Sequence, residues 1–385
     1  MPQVGYDEQT IRQHRTLGAA TRCHRMLQRL NLKNFTVFQD AEVEFVPGIN
    51  VFLGANATGK THAMKVVYAL IRSVKDYHAK HASPTRRSRG LEPKIEEKLS
   101  AVFRPEAGST GRLVRRFGSS PIADVSLTLK GAKIEGGIDF ESFHLEILDD
   151  SASCPASLFL PAREVLSIYP GFLAAYQNRE LAFDETYYDL CLALSASPLR
   201  GRRGAAASSI REPLVACLDA EVVLRGDSFF VKSEDDGIVE AHLVAEGYRK
   251  IATLLHLIAN GSLAKGSVLF WDEPEANLNP RLTKVVADFL LRLAGNGIQV
   301  VLATHDYLLT NELSLQAEYQ TDAARRSPIR FFSFTRGKDQ SVGVQWGATL
   351  ADLAENPIME EFQALYDRER RLFLARDEEP AGRGD

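Results

Sequence analysis

Two glycines, a lysine and a threonine follow a short apolar run in the N-terminal part of the chain. Residues 49–53 are rich in β-branched and aromatic types, as in a buried strand, and Gly54, Gly59, Lys60 and Thr61 come next. Glycines at this spacing let the backbone wrap around a polyphosphate and point its N–H groups at the oxygens. The lysine would reach the β and γ phosphates, and the threonine hydroxyl would bind Mg²⁺. The predicted contacts of this phosphate-binding loop are Gly54, Asn56, Ala57, Thr58, Gly59, Lys60 and Thr61.

Two acidic residues end a second apolar run. Residues 267–271 are typical of a buried strand, and Asp272 and Glu273 follow them. A carboxylate at the edge of a sheet is what the Mg²⁺ of a bound nucleotide needs, and Asp272 fits that role. Glu273 can align and deprotonate an attacking water molecule. Trp271, the last apolar residue of the run, is expected in the core.

A histidine ends a third apolar run. Residues 297–304 form the run, and His305 comes directly after it. A lone histidine is usually structural. This histidine, however, comes third in a series in which the phosphate loop is first and the Asp-Glu pair is second. We therefore expect it to belong to the same site as they do.

Composition is ordinary for a globular protein. The chain has 385 residues, 45% hydrophobic and 25% charged, with a net charge of −4. This length can bury a large core and suggests one large domain with a lobe, or two domains. Because the net charge is negative, any contact with nucleic acid must come from local basic patches.

The sequence predicts a cytoplasmic protein without membrane contact. Its first residues lack the apolar core of a secretion signal, and no stretch of 18 or more apolar residues occurs. The cysteines are scattered without metal-binding spacing, which fits reduced thiols that fill the core. They are Cys23, Cys154, Cys191 and Cys217.

The apolar pattern predicts alternating strands and helices. Two basic stretches, residues 76–90 and 112–116, either face DNA or form solvated surface. We favour solvated surface, because the basic residues are not regularly interleaved with aromatic residues that could stack on bases; Tyr77 stands alone. The other predicted elements are strands in 26–45, a helix over 60–75, a helix over 91–103, an antiparallel sheet over 124–148, helices in 165–220 interrupted by a loop at 197–209, a hairpin at 221–232, a helix over 281–293, two strands in 328–346 and a charged helix over 356–376.

The start of this pattern resembles a known group of ATPases. Residues 30–35, Leu-Asn-Leu-Lys-Asn-Phe, followed by Gly-Ile-Asn at 48–50 and the phosphate loop, resemble the entry of the ABC-type ATPases of the RecF, SMC and OLD group. In that group the first strands lie beside the adenine, so the resemblance implies Lys33 and Asn34 as nucleotide neighbours. Ordinary turn residues are the alternative.

A later segment resembles the signature motif of that group. Residues 243–250, Leu-Val-Ala-Glu-Gly-Tyr-Arg-Lys, precede an apolar helix. In the group this helix start contacts the γ phosphate of ATP held by the other protomer, which implies Gly247, Arg249 and Lys250 as contacts in trans. Ala245 replaces the usual serine, so Arg249 or Lys250 becomes the charge contact. Capping of an ordinary helix is the alternative.

Residues in three further segments take roles from the resemblance. His305 stands at the place of the switch histidine, which contacts the γ phosphate. Arg163 and Glu164 occupy the hinge where the group has a glutamine, and they either sense Mg²⁺ or pair with each other. Asn277 and Asn279 stand in the loop that crosses the dimer interface, or they cap the next helix.

The resemblance implies an α/β P-loop NTPase of ABC-ATPase type, with a mixed central sheet, an antiparallel β-subdomain and an inserted helical lobe. It implies ATP and Mg²⁺ as cofactors, ATP hydrolysis, and a head-to-tail homodimer around ATP. The expected organisation is a flexible arm at 1–25, the first part of the core at 26–160, the helical lobe and hairpin at 161–240, the second part of the core at 241–350, and a C-terminal helix and tail at 351–385.

Several biological roles fit an ATPase of this kind. No heptad predicts the long arms of SMC proteins, and no carboxylate cluster after His305 predicts the nuclease of OLD enzymes. We expect a stand-alone ATPase that controls a separate effector, commonly a nuclease, in prokaryotic defence or DNA repair. The alternative is a RecF-like ATP-gated DNA clamp. A transporter subunit is less favoured because of the missing glutamine, and no motif for reading guanine occurs.

Overall fold

A computed structural model describes residues 26–80, 90–117, 120–148, 154–218, 220–233, 237–319 and 327–378. The predicted N-terminal arm, Cys23 and most of the basic stretch 76–90 lie outside the described residues. The side chain of Cys217 also lies outside them. Cys154 and Cys191 are buried, as core-filling thiols should be.

A mixed sheet of six strands forms the centre of the fold. Its strand order is β14-β13-β3-β12-β11-β7, and all neighbours are parallel except the antiparallel edge strand β14. The inner strands β3 and β12 are buried over their whole length, as in sheets covered on both faces. The strands are β3 (Ile49–Gly54), β7 (Ser157–Leu160), β11 (Val268–Asp272), β12 (Gln299–Thr304), β13 (Ile329–Arg336) and β14 (Val342–Gly347).

The register of this sheet brings three strand ends together. Asp272 of β11 is paired with Ala303 of β12, and Thr304 of β12 is paired with Leu53 of β3. On the other side of β3, Phe334 of β13 is paired with Gly54. Since parallel strands end at the same edge, the residues that follow β3, β11 and β12 meet there.

A second, antiparallel sheet covers one side of the molecule. Its order is β2-β1-β4-β5-β6, so the two strands predicted before the phosphate-loop strand belong to this sheet and not to the central one. The residues between β2 and β3 carry the chain across to the central sheet. The strands are β1 (Leu27–Phe35), β2 (Phe38–Glu44), β4 (Ala123–Leu129), β5 (Ala132–Ile138) and β6 (Phe143–Leu148).

Two hydrophobic cores lie on opposite faces of the central sheet. Phe52, Phe270 and Phe332 pack with α1 (Lys60–Lys80), α2 (Glu92–Phe103) and the antiparallel sheet. The alternate strand residues point to the other core, where the remaining helices pack. This sandwich confirms the predicted α/β class with its mixed central sheet and antiparallel sheet.

Helices and a small sheet cover the second face. The helices are α3 (Phe172–Gln177), α4 (Glu185–Leu194), α5 (Gly201–Leu218), α6 (Glu246–Ala259), α7 (Pro280–Gly295) and α8 (Tyr307–Tyr319), and α9 (Pro357–Glu378) ends the described chain. The small sheet has strands β8 (Ala220–Arg225), β9 (Ser228–Ser233) and β10 (Gly237–Glu240), so the predicted hairpin gains a third strand. None of the helices in the described ranges is long and apolar enough to cross a membrane.

The predicted loop at 197–209 is wrong. Helix α5 begins at Gly201, whose φ of 62° suits glycine, and continues through the rest of the expected loop, so only residues 197–200 are a loop. The glycines predict a break, but the three alanines at 205–207 have the highest helix propensity. The segment also continues into an apolar stretch that forms the rest of the helix.

Candidate nucleotide site

The loop between β3 and α1 has the backbone of a phosphate cradle. Gly54 has a φ of 149° and Gly59 a φ of 87°. A Cβ atom on Gly54 would lie 2.5 Å from the carbonyl oxygen of Phe334, and one on Gly59 would lie 2.6 Å from Cγ2 of Val37. Both glycines are therefore required by conformation and by close packing. Ala57 also adopts a positive φ, of 61°, at the turn of the loop.

The ammonium group of Lys60 lies inside this loop. Its Nζ donates hydrogen bonds to the carbonyl oxygens of Gly54 at 2.8 Å and Ala55 at 2.9 Å. Burial lowers the pKa of Lys60, while the nearby carboxylates of Asp272 and Glu273 raise it. Asn56 is exposed, and the Thr58 hydroxyl donates to the Ala55 carbonyl at 2.9 Å. The cation is thus held at the concave side of the loop by groups that a phosphate could replace.

Thr61 and Asp272 meet at the edge of the sheet. The Thr61 hydroxyl lies 3.0 Å from Oδ1 and 2.9 Å from Oδ2 of Asp272. Burial raises the pKa of Asp272 to about 6, and Glu273 adds to that shift. A buried carboxylate with a raised pKa gains from a bound cation, and hydroxyl and carboxylate oxygens are the ligands that Mg²⁺ prefers. These two residues therefore fit a Mg²⁺ ion.

Glu273 sits in a constrained backbone position. Its φ is 47°, which a non-glycine residue rarely adopts, and its N–H donates to the Ala303 carbonyl at 2.8 Å. Its carboxylate is partly exposed and lies 3.6 Å from Nδ1 of His305. The neighbouring strand thus holds the backbone of Glu273, while its carboxylate remains accessible to a water molecule.

The buried carboxylate of Glu275 holds the backbone of His305. Oε1 of Glu275 accepts hydrogen bonds from the Thr304 hydroxyl at 2.7 Å and from the His305 N–H at 3.2 Å. It also lies 3.7 Å from Nδ1 of His305. Burial raises the pKa of Glu275, and within the described part of the chain its Oε2 has no hydrogen-bond partner. Glu275 is not among the predicted site residues, although its position three residues after Asp272 is a signal that could indicate it.

The cations of the signature segment contact groups of their own chain, while their expected contacts in trans remain a prediction. Arg249 forms an ion pair with Glu164 at 2.9 Å, and its Nη1 donates to the Val244 carbonyl at 2.6 Å. Lys250 is buried, and its Nζ donates to the Ala276 carbonyl at 2.8 Å. Both side chains therefore tie the start of α6 to neighbouring segments.

Other positions of this region also have defined neighbours. A Cβ atom on Gly247 would lie 2.6 Å from Cδ2 of Leu278, so this glycine allows close packing. Glu164 pairs with Arg249 and Arg163 is exposed, so these two hinge residues do not pair with each other, and their role in sensing Mg²⁺ remains a prediction. Asn279 is the N-cap of α7 and accepts from the Leu282 N–H at 3.0 Å, whereas Asn277 is exposed with a φ of 63°.

A cavity of about 470 Å³ lies beside the phosphate loop. Its wall includes Val37, His62, Phe103 and Arg336. Lys33 is exposed on β1, and the Asn34 carbonyl accepts from the Arg115 N–H at 2.6 Å. The wall includes neither Lys33 nor Asn34. The turn after β1 lines the cavity through Thr36 and Val37.

Arg336 reaches the phosphate loop from the end of β13. Its Nη2 donates to the carbonyl oxygen of Ala57. Arg336 could not be predicted from the sequence, because only the pairing of β13 with β3 brings it to the loop. His62 also lines the cavity; burial, with help from the charge of Lys65, lowers its pKa to about 4.

The comparison with known families supports this arrangement. Residues 98–311 match the family described as "AAA domain, putative AbiEii toxin, Type IV TA system". That match covers more than half of the chain. The chain belongs to this AAA-domain family. The predicted membership in the ABC-type ATPases of the RecF and SMC group is also confirmed.

Relatives and solved structures agree with the assignment. This AAA-domain protein is 36% identical over 107 residues to the DNA replication and repair protein RecF of Streptococcus gordonii, and 35% identical over 107 residues to RecF of Streptococcus pneumoniae. Each match covers 27% of this chain and about a quarter of the relative, 25% and 24%. An SMC head bound to the C-terminal winged-helix domain of ScpA is 13% identical with a TM-score of 0.50, covering 84% of this chain and 98% of that one, and shows the shared fold.

Proposed function

We propose that this AAA-domain protein is a Mg²⁺-dependent molecular switch that binds ATP, closes as a homodimer around it, and hydrolyses it. The observation that carries the proposal is the contact of the Thr61 hydroxyl with both carboxylate oxygens of Asp272, at 3.0 and 2.9 Å. Thr61 lies in the first turn of α1 and Asp272 ends β11, so two separate segments of the chain meet beside Lys60. A phosphate loop and a strand-end carboxylate in contact are the parts that nucleotide chemistry requires.

Binding begins at the phosphate loop. The loop N–H groups and the N-terminus of α1 attract the phosphates, and Lys60 exchanges the carbonyls of Gly54 and Ala55 for phosphate oxygens. Thr61 and Asp272 would hold Mg²⁺, which neutralises phosphate charge when bound. Arg336 holds the outer turn of the loop at Ala57.

Hydrolysis depends on Glu273 and His305. Glu273 orients the attacking water and accepts its proton, because its carboxylate is accessible while its backbone is held by Ala303. His305 contacts the terminal phosphate. Glu275 acts as a positioning residue, since it holds the His305 N–H and the Thr304 hydroxyl.

Closure of the dimer uses the start of α6. In the proposed closed state, the N-terminus of α6 near Gly247 faces the terminal phosphate bound by the other copy. Arg249 and Lys250 hold this helix start in place from within, through Glu164 and the Ala276 carbonyl. Loss of the terminal phosphate would remove the link between copies, so hydrolysis opens the dimer.

For the biological role we propose control of a separate effector in prokaryotic defence or DNA repair. The description of the matched family mentions a toxin and a toxin–antitoxin system. The relatives are named as DNA replication and repair proteins. A RecF-like DNA clamp is the second candidate. It is favoured by the arginines that line the cavity beside the loop, which are Arg104, Arg112, Arg115, Arg116 and Arg336. Salt-dependent binding of duplex DNA by the chain alone would favour the clamp.

Two substitutions test the ATPase. Lys60→Ala should abolish ATP binding, with Lys130→Ala, an exposed lysine of a distant turn, as the matched control. Glu273→Gln should keep ATP but lose hydrolysis and accumulate ATP-bound dimers on a sizing column, with Glu141→Gln as its control. Normal turnover by Glu273→Gln would exclude Glu273 as the general base.

A further inference from the structure

Helix α9 exposes a large apolar surface. It is 22 residues long, Pro357–Glu378, and every residue from 359 to 374 is exposed. Single exposed apolar residues are normal on a protein surface, but a contiguous group indicates an interaction site. The large apolar side chains are between 38% and 67% exposed, and they are Met359, Phe362, Leu365, Tyr366, Leu372, Phe373 and Leu374.

Most of these residues lie on one side of the helix. Phe362, Leu365 and Leu372 follow the buried Ile358 at steps of four, three and seven, as in the seam of a coiled coil with the polar Glu369 at its remaining position. Met359, Tyr366 and Phe373 repeat at steps of seven and widen this apolar stripe. Most of the stability of a helix in a protein comes from packing of its apolar face, so this face calls for a partner.

The body of the protein anchors only the start of this helix. The ring of Phe362 lies 4.1 Å from that of Tyr307, centroid to centroid, and Ile358 is buried in the core. From residue 363 to residue 374 all described side chains are exposed. The stripe therefore extends beyond its anchor and is open to a partner.

The charges of α9 indicate what that partner is. Glu360 and Glu361 are the charges of its first turns, whereas residues 367–371 carry three arginines beside the acidic Asp367 and Glu369. A second copy that runs antiparallel would place the acidic first turns opposite this arginine-rich segment, whereas a parallel copy would place the acidic first turns together. Charge complementarity of the helix with itself thus selects an antiparallel pair.

We propose that α9 pairs antiparallel with α9 of a second copy and forms a homodimer that needs no nucleotide. Glu361 and Arg368 are seven residues apart and lie on the same border of the stripe, so the two-fold axis brings Glu361 of each copy opposite Arg368 of the other. Neither residue has an oppositely charged neighbour three or four positions away in its own helix. This contact is separate from the proposed closure around ATP.

The first experiment measures the mass of the full chain without nucleotide and with EDTA, by sedimentation velocity over a concentration series. The wild type should dimerise, and so should Lys60→Ala. Leu372→Asp should weaken the dimer at least about tenfold, because it places a charge in the apolar seam. Leu374→Asp is the matched control, since nine residues place Leu374 on the side of the helix opposite Leu365. Circular dichroism checks that both variants keep their fold.

A charge exchange tests the antiparallel arrangement. Glu361→Arg alone and Arg368→Glu alone should each weaken the dimer several-fold, because each creates two like-charge contacts. The double variant should restore it, since both contacts become attractive again. A double variant as weak as the single ones would overturn the antiparallel pair.

Two other results would also overturn the proposal. One is a wild-type chain that stays monomeric without nucleotide. The other is a monomer that binds anionic vesicles through the same stripe, because the occupant would then be a membrane surface. If Lys60→Ala loses ATP binding but remains a dimer, the helix pair stands whether or not ATP closes a second interface.

Discussion

The hydroxyl of Thr304 donates a 2.7 Å hydrogen bond to the buried carboxylate of Glu275. Thr304 ends β12 and Glu275 follows the neighbouring strand β11, and the same carboxylate oxygen accepts the N–H of His305 at 3.2 Å. The backbone of the proposed switch histidine is therefore held by a residue that follows the proposed general base by two positions.

Glu275→Ala should slow ATP hydrolysis with little change in ATP affinity. It leaves the Thr304 hydroxyl and the His305 N–H without their acceptor, so we expect a kcat lower by about tenfold and a stability loss of about 1–3 kcal/mol. Glu275→Gln keeps an acceptor oxygen and should recover most of the rate. The measurements are steady-state hydrolysis, titration with a fluorescent ATP analogue, and urea unfolding. Equal loss in both variants would show that charge rather than position matters.

The metal-free protein should lose stability as pH rises from about 4 to about 6. Burial raises the pKa of Asp272 from 3.8 to about 6, so in this range the folded state binds more protons than the unfolded state. The contribution of Asp272 is full at low pH and falls by about 3 kcal/mol once both states are ionised. Asp272→Asn should remove this part of the pH dependence. Urea unfolding in EDTA at several pH values, for wild type and variant, provides the measurement.

Arg336→Ala should weaken ATP binding by about three- to tenfold, because the Ala57 carbonyl of the phosphate loop loses a charged donor. Hydrolysis at saturating ATP should change little, since the residue lies away from Glu273 and His305. Lys338→Ala, an exposed cation of the following turn, is the control. A lower kcat with unchanged affinity would contradict this role.

Arg249→Ala should destabilise the isolated chain by about 2–4 kcal/mol. It leaves Glu164, whose side chain is 5% exposed, as a buried charge without its partner. The double variant Arg249→Ala with Glu164→Gln should recover part of this loss in thermal and urea unfolding. An Arg249→Ala chain that is fully stable but cannot hydrolyse ATP as a dimer would instead indicate that Arg249 contacts the nucleotide bound by the other copy.

The helical lobe shows where local patterns mislead. The segment at 197–209 has glycines and arginines that are typical of a loop, yet α5 includes most of it, because its alanines and the apolar residues that follow favour a helix. The strands after residue 26 are recognisable, but their sheet is decided by pairing with β4, almost a hundred residues away.

The sequence by itself determined the phosphate loop, the strand-end pair Asp272 and Glu273, and the order in which His305 follows them. Each depends on residues close together in the chain, where glycine conformation and strand ends follow from local chemistry. Only the tertiary structure decided that Arg249 pairs with Glu164, that Lys250 is buried, and that Glu275 and Arg336 support the site. Those contacts depend on sheet order and helix packing, which join segments that local patterns cannot relate.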